Sequence, residues 1–290
     1  MPADDSESKT LPVRSGSEQQ LILTYLDIKG FAEPIRLALR IGAVPFHDIR
    51  VSYEQIAEMR AAGKLPFGQV PTLQITNKTD ETDHTDKTEA ATPLIIGQSQ
   101  AILRWVGQRT GLLPQPGSHA ALLVDSLLEA LSDIHKALIP AWYKHACGRS
   151  PVNGCFYHET ALTDEQHNAV LHALNSDILP ARFAQIERVH SKLLADMTVT
   201  DKTQPTPSGT EAGKVTAGSG GMFLCGPYLS IADLVLYTLV KGLQDERLPF
   251  CVGVTAPVDD VWPLLRGVVR RVGALQAVQD WEREHSYSQT

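Results

Sequence analysis

The sequence is poor in cysteine and has no long apolar run. Its four cysteines are Cys147, Cys155, Cys225 and Cys251. They are too few for a disulfide framework in a chain of 290 residues. No apolar run approaches the length that crosses a bilayer, and the polar, acidic stretch Met1 to Gln20 does not resemble a secretion signal. We therefore expect a cytoplasmic protein without a membrane partner.

An excess of positive charge is also missing. The chain has 26 basic and 33 acidic residues, a formal net charge of -7, so nothing favours nucleic acid as a partner. The hydrophobic content of 43% is that of a globular protein. The length allows one large domain or two ordinary ones.

Three stretches lack the large apolar residues that would offset the entropy of ordering them. They are the tail to about Gln20, Thr76 to Thr92, and Thr200 to Gly221. We predict that these stretches are loosely packed, with a first domain at residues 21–111 (loose insertion 76–92) and a second at residues 119–290 (loose insertion 200–221).

The first domain alternates short apolar runs with helical patterns, which predicts a small mixed sheet covered by helices. The predicted strands are Leu21–Tyr25, Phe46–Val51, Thr72–Ile75 and Leu94–Ile96, and the helices are one with Pro34 near its start and Ser99–Arg109.

The second domain has long segments with a period of 3.6 residues, which predict a helical bundle. These segments are Ala120–Leu138, Asp164–Ala195, Ser230–Leu243 and Trp262–Glu284. Ser230 and Asp233 have the spacing of a capping box, and we expect a role in folding for them.

Three features of the first domain are candidates for chemistry. Tyr25 ends a strand beside the next helix, which is usually a packing position. Val70-Pro71 opens a strand that we interpret as an edge, able to pair with an extended peptide or simply blunted by proline. Ser99 is predicted to cap a helix whose N-terminus could bind a carboxylate.

Taken together, Y-L-D-I-K-G-F-A-E-P-I-R from Tyr25, L-P-F-G-Q-V-P from Leu65 and G-Q-S-Q-A-I-L-R-W from Gly97 resemble the glutathione transferase family, most closely its sigma class. The resemblance implies an α+β protein, with a thioredoxin-like mixed-sheet domain followed by an all-α helical bundle. It implies a homodimer that uses glutathione as co-substrate and needs no cofactor.

The resemblance also assigns roles to individual residues. The Tyr25 hydroxyl would hold the glutathione thiol as thiolate, and Val70, with a cis bond to Pro71, would pair with the peptide backbone. Gln69, Gln98 and Ser99 would hold the rest of the tripeptide, including its γ-glutamyl carboxylate. Family members that exchange disulfides have a cysteine near this strand end, whereas no cysteine precedes Cys147 here, which argues against redox chemistry.

Two positions depart from the family pattern. Ile56 stands where sigma-like chains usually have a tryptophan that helps to hold the glycine end of glutathione. The segment after Ile56 is also longer than in the family by about two residues, so Arg60 or Lys64 would replace the usual basic partner of the glycyl carboxylate.

Asp125, Glu129 and Asp133 recur every four residues and so share one helix face. This face is either a solvated stripe or, in the sigma-like alternative, a subunit contact in which Asp133 reaches the glutathione amine bound by the partner subunit. A divalent cation could then relieve the repulsion, although Ser132 stands where metal-binding relatives have another acid.

A second group of residues, His145, Cys147, Cys155 and His158, does not have the spacing of a structural zinc site, so we expect no metal there.

The leading hypothesis is conjugation of glutathione to an apolar electrophile held near Ile139 to Tyr143, as in detoxification. One alternative keeps the thiolate but isomerises an endoperoxide, as sigma-like prostaglandin D synthases do. Another is a non-catalytic protein that binds ligands or forms a structural dimer.

Overall fold

A computed structural model describes residues 19–77, 92–142, 162–200, 215–216, 222–244, 254 and 261–285, without the side chains of residues 77, 142 and 194–200. The strands are β1 (Gln19–Leu26), β2 (His47–Val51), β3 (Thr72–Asn77) and β4 (Leu94–Gly97). The helices are α1 (Glu33–Ile41), α2 (Tyr53–Ala61), α3 (Ser99–Thr110), α4 (His119–Trp142), α5 (Asp164–Ala173), α6 (Leu179–Thr200), α7 (Ile231–Gln244), α8 (Pro263–Gly273) and α9 (Gln276–Glu284).

The four strands form one mixed sheet in the order β2-β1-β3-β4. β1 runs parallel to β2 and antiparallel to β3, which is antiparallel to β4. Leu21, Leu23 and Leu73 are buried on this sheet, as the apolar runs predicted. The predicted α+β architecture, a small mixed sheet followed by helices, is confirmed.

The position of β3 corrects one prediction. We interpreted the strand after Pro71 as an edge, but β3 lies between β1 and β4. Pro71 is nevertheless tolerated because it precedes Thr72, the first paired residue of the strand, so no ladder hydrogen bond is lost. The sequence does not contain the strand order, which depends on contacts between distant segments.

Helix α2 was not predicted. It begins with a capping box in which the Ser52 hydroxyl accepts a bond from the Gln55 N–H at 3.3 Å, and the Gln55 side chain accepts one from the Ser52 N–H at 2.8 Å. Ile56 is its buried anchor. The Ser-x-x-Gln spacing was the available signal.

Two of the predicted long helices are interrupted. A π-helical turn at Leu174–Ile178 separates α5 from α6, and Ala274 and Leu275 separate α8 from α9. Periodicity alone does not detect such breaks because the apolar stripe continues through them. Within the described part of the chain, no helix is both long enough and apolar enough to span a bilayer.

The buried carboxylate of Asp233 ties the start of α7 to a neighbouring turn. Its oxygens accept bonds from the Ser230 N–H at 2.7 Å, the Ser230 hydroxyl at 2.6 Å and the Leu224 N–H at 2.7 Å. Burial raises the pKa of Asp233 to about 6. The predicted capping element is therefore present as a buried hydrogen-bonded cluster.

Parts of the segments predicted to be loose are ordered. Gln19 and Gln20 belong to β1, and β3 continues through Thr76 to Asn77. In the later segment, Val215 accepts a backbone bond from the Leu229 N–H at 3.0 Å and Thr216 forms a bridge with Tyr228. The remainder of these predicted segments lies outside the described residues.

Candidate active site

The strand register brings the three candidate segments to one end of the sheet. Thr24 of β1 is paired with Thr72 of β3, which is also paired with Gly97 of β4. Immediately beyond this row, at the same end of the sheet, lie Tyr25, Pro71 and Gln98. Adjacent strands are about 4.8 Å apart, so the three segments span about 10 Å, the length of an extended tripeptide.

Tyr25 lies with its ring buried and its hydroxyl against the turn that leads into α1. Only 2% of its surface is exposed. The hydroxyl oxygen accepts a bond from the Phe31 N–H at 3.3 Å. This bond uses a lone pair of the oxygen and does not compete with donation of the hydroxyl proton.

Gly30 makes room for the Tyr25 hydroxyl. Its φ is +41°, and a Cβ at this position would lie 2.6 Å from the hydroxyl oxygen and 2.9 Å from Cε1 of the ring. A larger residue would therefore displace either the turn or the phenol.

The loop before β3 carries Gln69 and Val70. The Val70-Pro71 bond is cis, as the resemblance implied, and Val70 is buried. The Arg60 Nε donates to the Gly68 carbonyl at 2.7 Å, so Arg60, one of the two candidates for the glycyl carboxylate, also holds this loop. Lys64 is exposed at the turn after α2.

Gln98 joins β4 to α3 in a strained conformation. It has φ +74° and ψ +104°, outside the regions that residues other than glycine usually adopt. The prediction that Ser99 caps the helix is wrong, because Gln98 is the N-cap residue, without a side-chain capping bond, and Ser99 is the first residue of the helix. An N-terminus without a side-chain cap suits a carboxylate.

Helix α4 approaches the same turn from the helical region. The ring of His135 packs against that of Phe31, with centroids 5.3 Å apart. Burial lowers the pKa of His135 to about 4, and its Nδ1 lies 3.1 Å from the Leu131 carbonyl oxygen, so the imidazole is neutral at physiological pH. The sequence analysis missed His135 because no motif marks it.

The structure describes only part of the segment Ile139 to Tyr143, where the sequence predicted the electrophile site. Ile139 is half-buried on α4, and Tyr143 lies outside the described residues.

The acidic face of α4 is not a simple solvated stripe. Arg104 of α3 binds Asp125 at 2.7 Å and Glu129 at 2.9 Å, and Asp133 binds Lys136 at 3.1 Å. The face therefore joins α3 to α4 through Arg104.

No group of three or more histidine, cysteine or acidic residues suited to a metal ion occurs in the described ranges. His145, Cys147, Cys155 and His158 all lie outside those ranges.

A surface groove of about 520 Å³ lies at the outer side of β2, away from the predicted site residues. Phe46, His47, Trp281 and His285 are among its lining residues. The groove does not coincide with the predicted tripeptide site.

No family model matches the chain. In sequence it is 36% identical over 132 residues to glutathione S-transferase P of Caenorhabditis elegans, an alignment that covers 45% of this chain and 54% of the relative. It is 30% identical over 123 residues to glutathione S-transferase 1 of Ascaris suum, covering 42% and 50%. The alignments thus span about half the length of these curated relatives.

In structure the chain is similar to a sigma class glutathione S-transferase of Fasciola hepatica, with a TM-score of 0.63 at 15% identity over 94% of this chain and 100% of the other. The prostaglandin synthase D of Nilaparvata lugens has a TM-score of 0.60 at 18% identity, covering 92% and 99%. A nu-class enzyme of Haemonchus contortus has a TM-score of 0.57 at 18% identity, covering 94% and 100%.

The fold is therefore the thioredoxin-like domain with a helical region that these transferases have. In sequence, the chain is thus similar to about half the length of curated glutathione S-transferases, and in fold it is similar to solved structures of more than one class.

Proposed function

We propose that the protein is a glutathione transferase. Glutathione lies across the end of β1, β3 and β4, and Tyr25 donates a hydrogen bond to its sulfur. A free thiol has a pKa of about 8.5, and lowering it by two units requires roughly 2.7 kcal/mol. One charge-assisted hydrogen bond contributes about 1.5–3 kcal/mol, so the phenol is nearly sufficient without a general base.

The observation that carries this proposal is the row Thr24-Thr72-Gly97. It aligns a phenol, a loop ahead of a strand and a helix N-terminus within the reach of one tripeptide. In this arrangement the Val70 backbone pairs with the cysteinyl residue of glutathione, assisted by Gln69. Gln98 and Ser99 hold the γ-glutamyl carboxylate, and Arg60 or Lys64 is the candidate for the glycyl end.

We further propose a homodimer in which Asp133 reaches the amine of the glutathione bound by the partner subunit. Phe67, in the loop before Val70, is 62% exposed in the single chain, and Leu122 on α4 is 68% exposed. Burial of such side chains favours association. The dimer is testable by sedimentation, with Phe67→Ser expected to weaken it.

The second substrate in this proposal is an apolar electrophile, held between the turn at Phe31 and the α4 face around His135 and Ile139. The sigma-like assignment rests on the resemblance of the three motifs to that class, and with it comes the alternative of endoperoxide isomerisation. Measurement of free thiol during turnover separates the two reactions, because conjugation consumes glutathione and isomerisation regenerates it. We propose a cytoplasmic role in detoxification for the conjugating enzyme.

Tyr25→Phe tests the mechanism. We expect kcat with chlorodinitrobenzene to fall by about 10- to 100-fold, which corresponds to the loss of one charge-assisted hydrogen bond, while glutathione affinity stays the same. Tyr53→Phe is the matched control, since Tyr53 is exposed at the start of α2. An unchanged rate in Tyr25→Phe contradicts the mechanism. Retention on immobilised glutathione without turnover of any electrophile would favour a binding protein.

A further inference from the structure

The turn that contacts the Tyr25 hydroxyl is connected to the last described helix of the chain. Its Phe31 N–H donates to the hydroxyl, and its carbonyls at Ile28 and Lys29 accept bonds from the fully buried Arg36 at 2.8 and 3.4 Å. The guanidinium of Arg36 also lies 5.8 Å from the centre of the Tyr25 ring. The position of Arg36 therefore affects both the turn and the phenol.

Arg36 is held by Glu33 and, at 3.1 Å from its Nε, by Asp48, and Glu33 is in turn held by Trp281. The Arg36 Nη1 lies 3.3 Å from one oxygen of the Glu33 carboxylate, and the Trp281 indole N–H donates to the other oxygen at 3.0 Å. Both Glu33 and Trp281 are only 2% exposed. A carboxylate buried to this degree depends on its hydrogen-bond donors, because loss of one leaves charge uncompensated in the interior.

The neighbouring residue of α9 makes a second connection. Glu282 accepts a bond from the Tyr237 hydroxyl at 2.9 Å and lies 3.8 Å from the Lys29 ammonium. Helix α9 thus contacts the turn on both sides, at Lys29 before it and at Glu33 after it. Helix α9 is itself fixed to α7.

We propose that Trp281 is a positioning residue, which through Glu33 and Arg36 fixes the turn at Phe31 and hence the Tyr25 hydroxyl. The inference rests on the proposed transferase function and extends it: α9 determines how well the phenol is aligned with the sulfur. Helix α9 is far from the turn in sequence, and Trp281 itself touches neither substrate in this arrangement.

The variant Trp281→Phe removes the indole N–H and keeps an aromatic ring in the core. We expect the thiol pKa of bound glutathione, followed by thiolate absorbance, to rise by about half a unit. We expect kcat with chlorodinitrobenzene to fall about threefold, as a half-unit rise in the thiol pKa implies, with KM for glutathione nearly unchanged. Amide hydrogen exchange in residues 26–34 should become faster.

Trp262→Phe is the matched control. Trp262 is also buried, 5% exposed, and packs against Phe183 at a ring distance of 5.3 Å, away from the turn. It makes the same change in volume, so it reports the effect of a loosened helical core. Equal exchange in residues 26–34 and equal thiol pKa in the two variants would overturn the inference.

The outcomes distinguish this inference from the proposed function. If the wild type conjugates glutathione and only Trp281→Phe alters the turn, both hold. If the wild type does not turn over, the transferase proposal fails, whereas hydrogen exchange still decides the link from α9 to the turn. Should Trp281→Phe not fold, Glu282→Gln tests the weaker contact between α9 and Lys29. Unchanged hydrogen exchange in residues 26–34 of this variant would contradict the link from α9 to the turn.

Discussion

The sheet region at residues 19–111 and the helical region after residue 119 position their functional groups in different ways. In the sheet region the candidate site is set by backbone register, with Tyr25, Pro71 and Gln98 adjacent to one paired row. In the helical region the groups connected to the turn beside Tyr25, such as His135 and Trp281, are single side chains on separate helices, α4 and α9. The comparison explains why the candidate tripeptide site could be predicted from sequence motifs, whereas a candidate electrophile site could not.

We expect the largest change in stability from removal of the Asp233 carboxylate. This variant tests whether the helical region contributes to stability rather than to catalysis. Asp233→Ala eliminates three short hydrogen bonds and leaves buried donors unpaired. The free energy of unfolding, measured in urea, should therefore fall by roughly 3 kcal/mol or more. Ser230→Ala, which removes only the hydroxyl, should lose less.

Turnover per folded molecule should be unchanged in Asp233→Ala. A loss below about 1 kcal/mol would show that the cluster is not important for stability.

Addition of a methyl group at Gly30 should affect the protein in the opposite way to Asp233→Ala. We expect a large loss of turnover and a smaller loss of stability. Gly30→Ala forces the Tyr25 hydroxyl or the turn to move, since the added Cβ would lie 2.6 Å from the oxygen. Misplacement by about 1 Å can lower kcat/KM by about 100-fold.

Gly117→Ala is the control for Gly30→Ala. Gly117 also has a positive φ, +79°, but an added Cβ there meets nothing within 4 Å. It therefore incurs the backbone penalty without the clash. If both variants lose turnover equally, backbone strain and not contact with Tyr25 explains the loss.

The ion pairs between the two regions should give the smallest effect. Arg104 binds Asp125 and Glu129, whose side chains are 45% and 61% exposed. Exposed pairs contribute about 0–1 kcal/mol, so Arg104→Met should lower the free energy of unfolding by less than about 1 kcal/mol, and less at high salt. A double-mutant cycle with Asp125→Asn measures the coupling. A larger coupling would mean that the two regions depend on each other more than their packing indicates.

Much of the sheet region could be predicted from the sequence because local patterns encode it. The four strands, α1 and α3 follow from apolar runs and from the positions of Pro34 and Gly97. Helix α2 was missed although the Ser52 and Gln55 spacing marks it. The interior position of β3 could not be read, because strand order is a property of the folded chain.

The rest of the site depends on contacts between distant residues. Trp281 and Glu33 are 248 positions apart, and neither belongs to a recognisable motif with the other. The same holds for the packing of His135 on Phe31. Gln98 was identified through its neighbours, but its strained backbone was not foreseen, since only folding forces a glutamine to a positive φ.

The open row at the end of β1, β3 and β4 has a consequence for how this chain can change over time. In the proposed arrangement, a ligand that binds backbone carbonyls and amides at Val70 and at the start of α3 would tolerate most replacements of the side chains there. Selection then acts on the geometry of a few glycines and one proline, and the remaining positions can drift. The fold itself persists in solved structures that are only 15–23% identical to this chain.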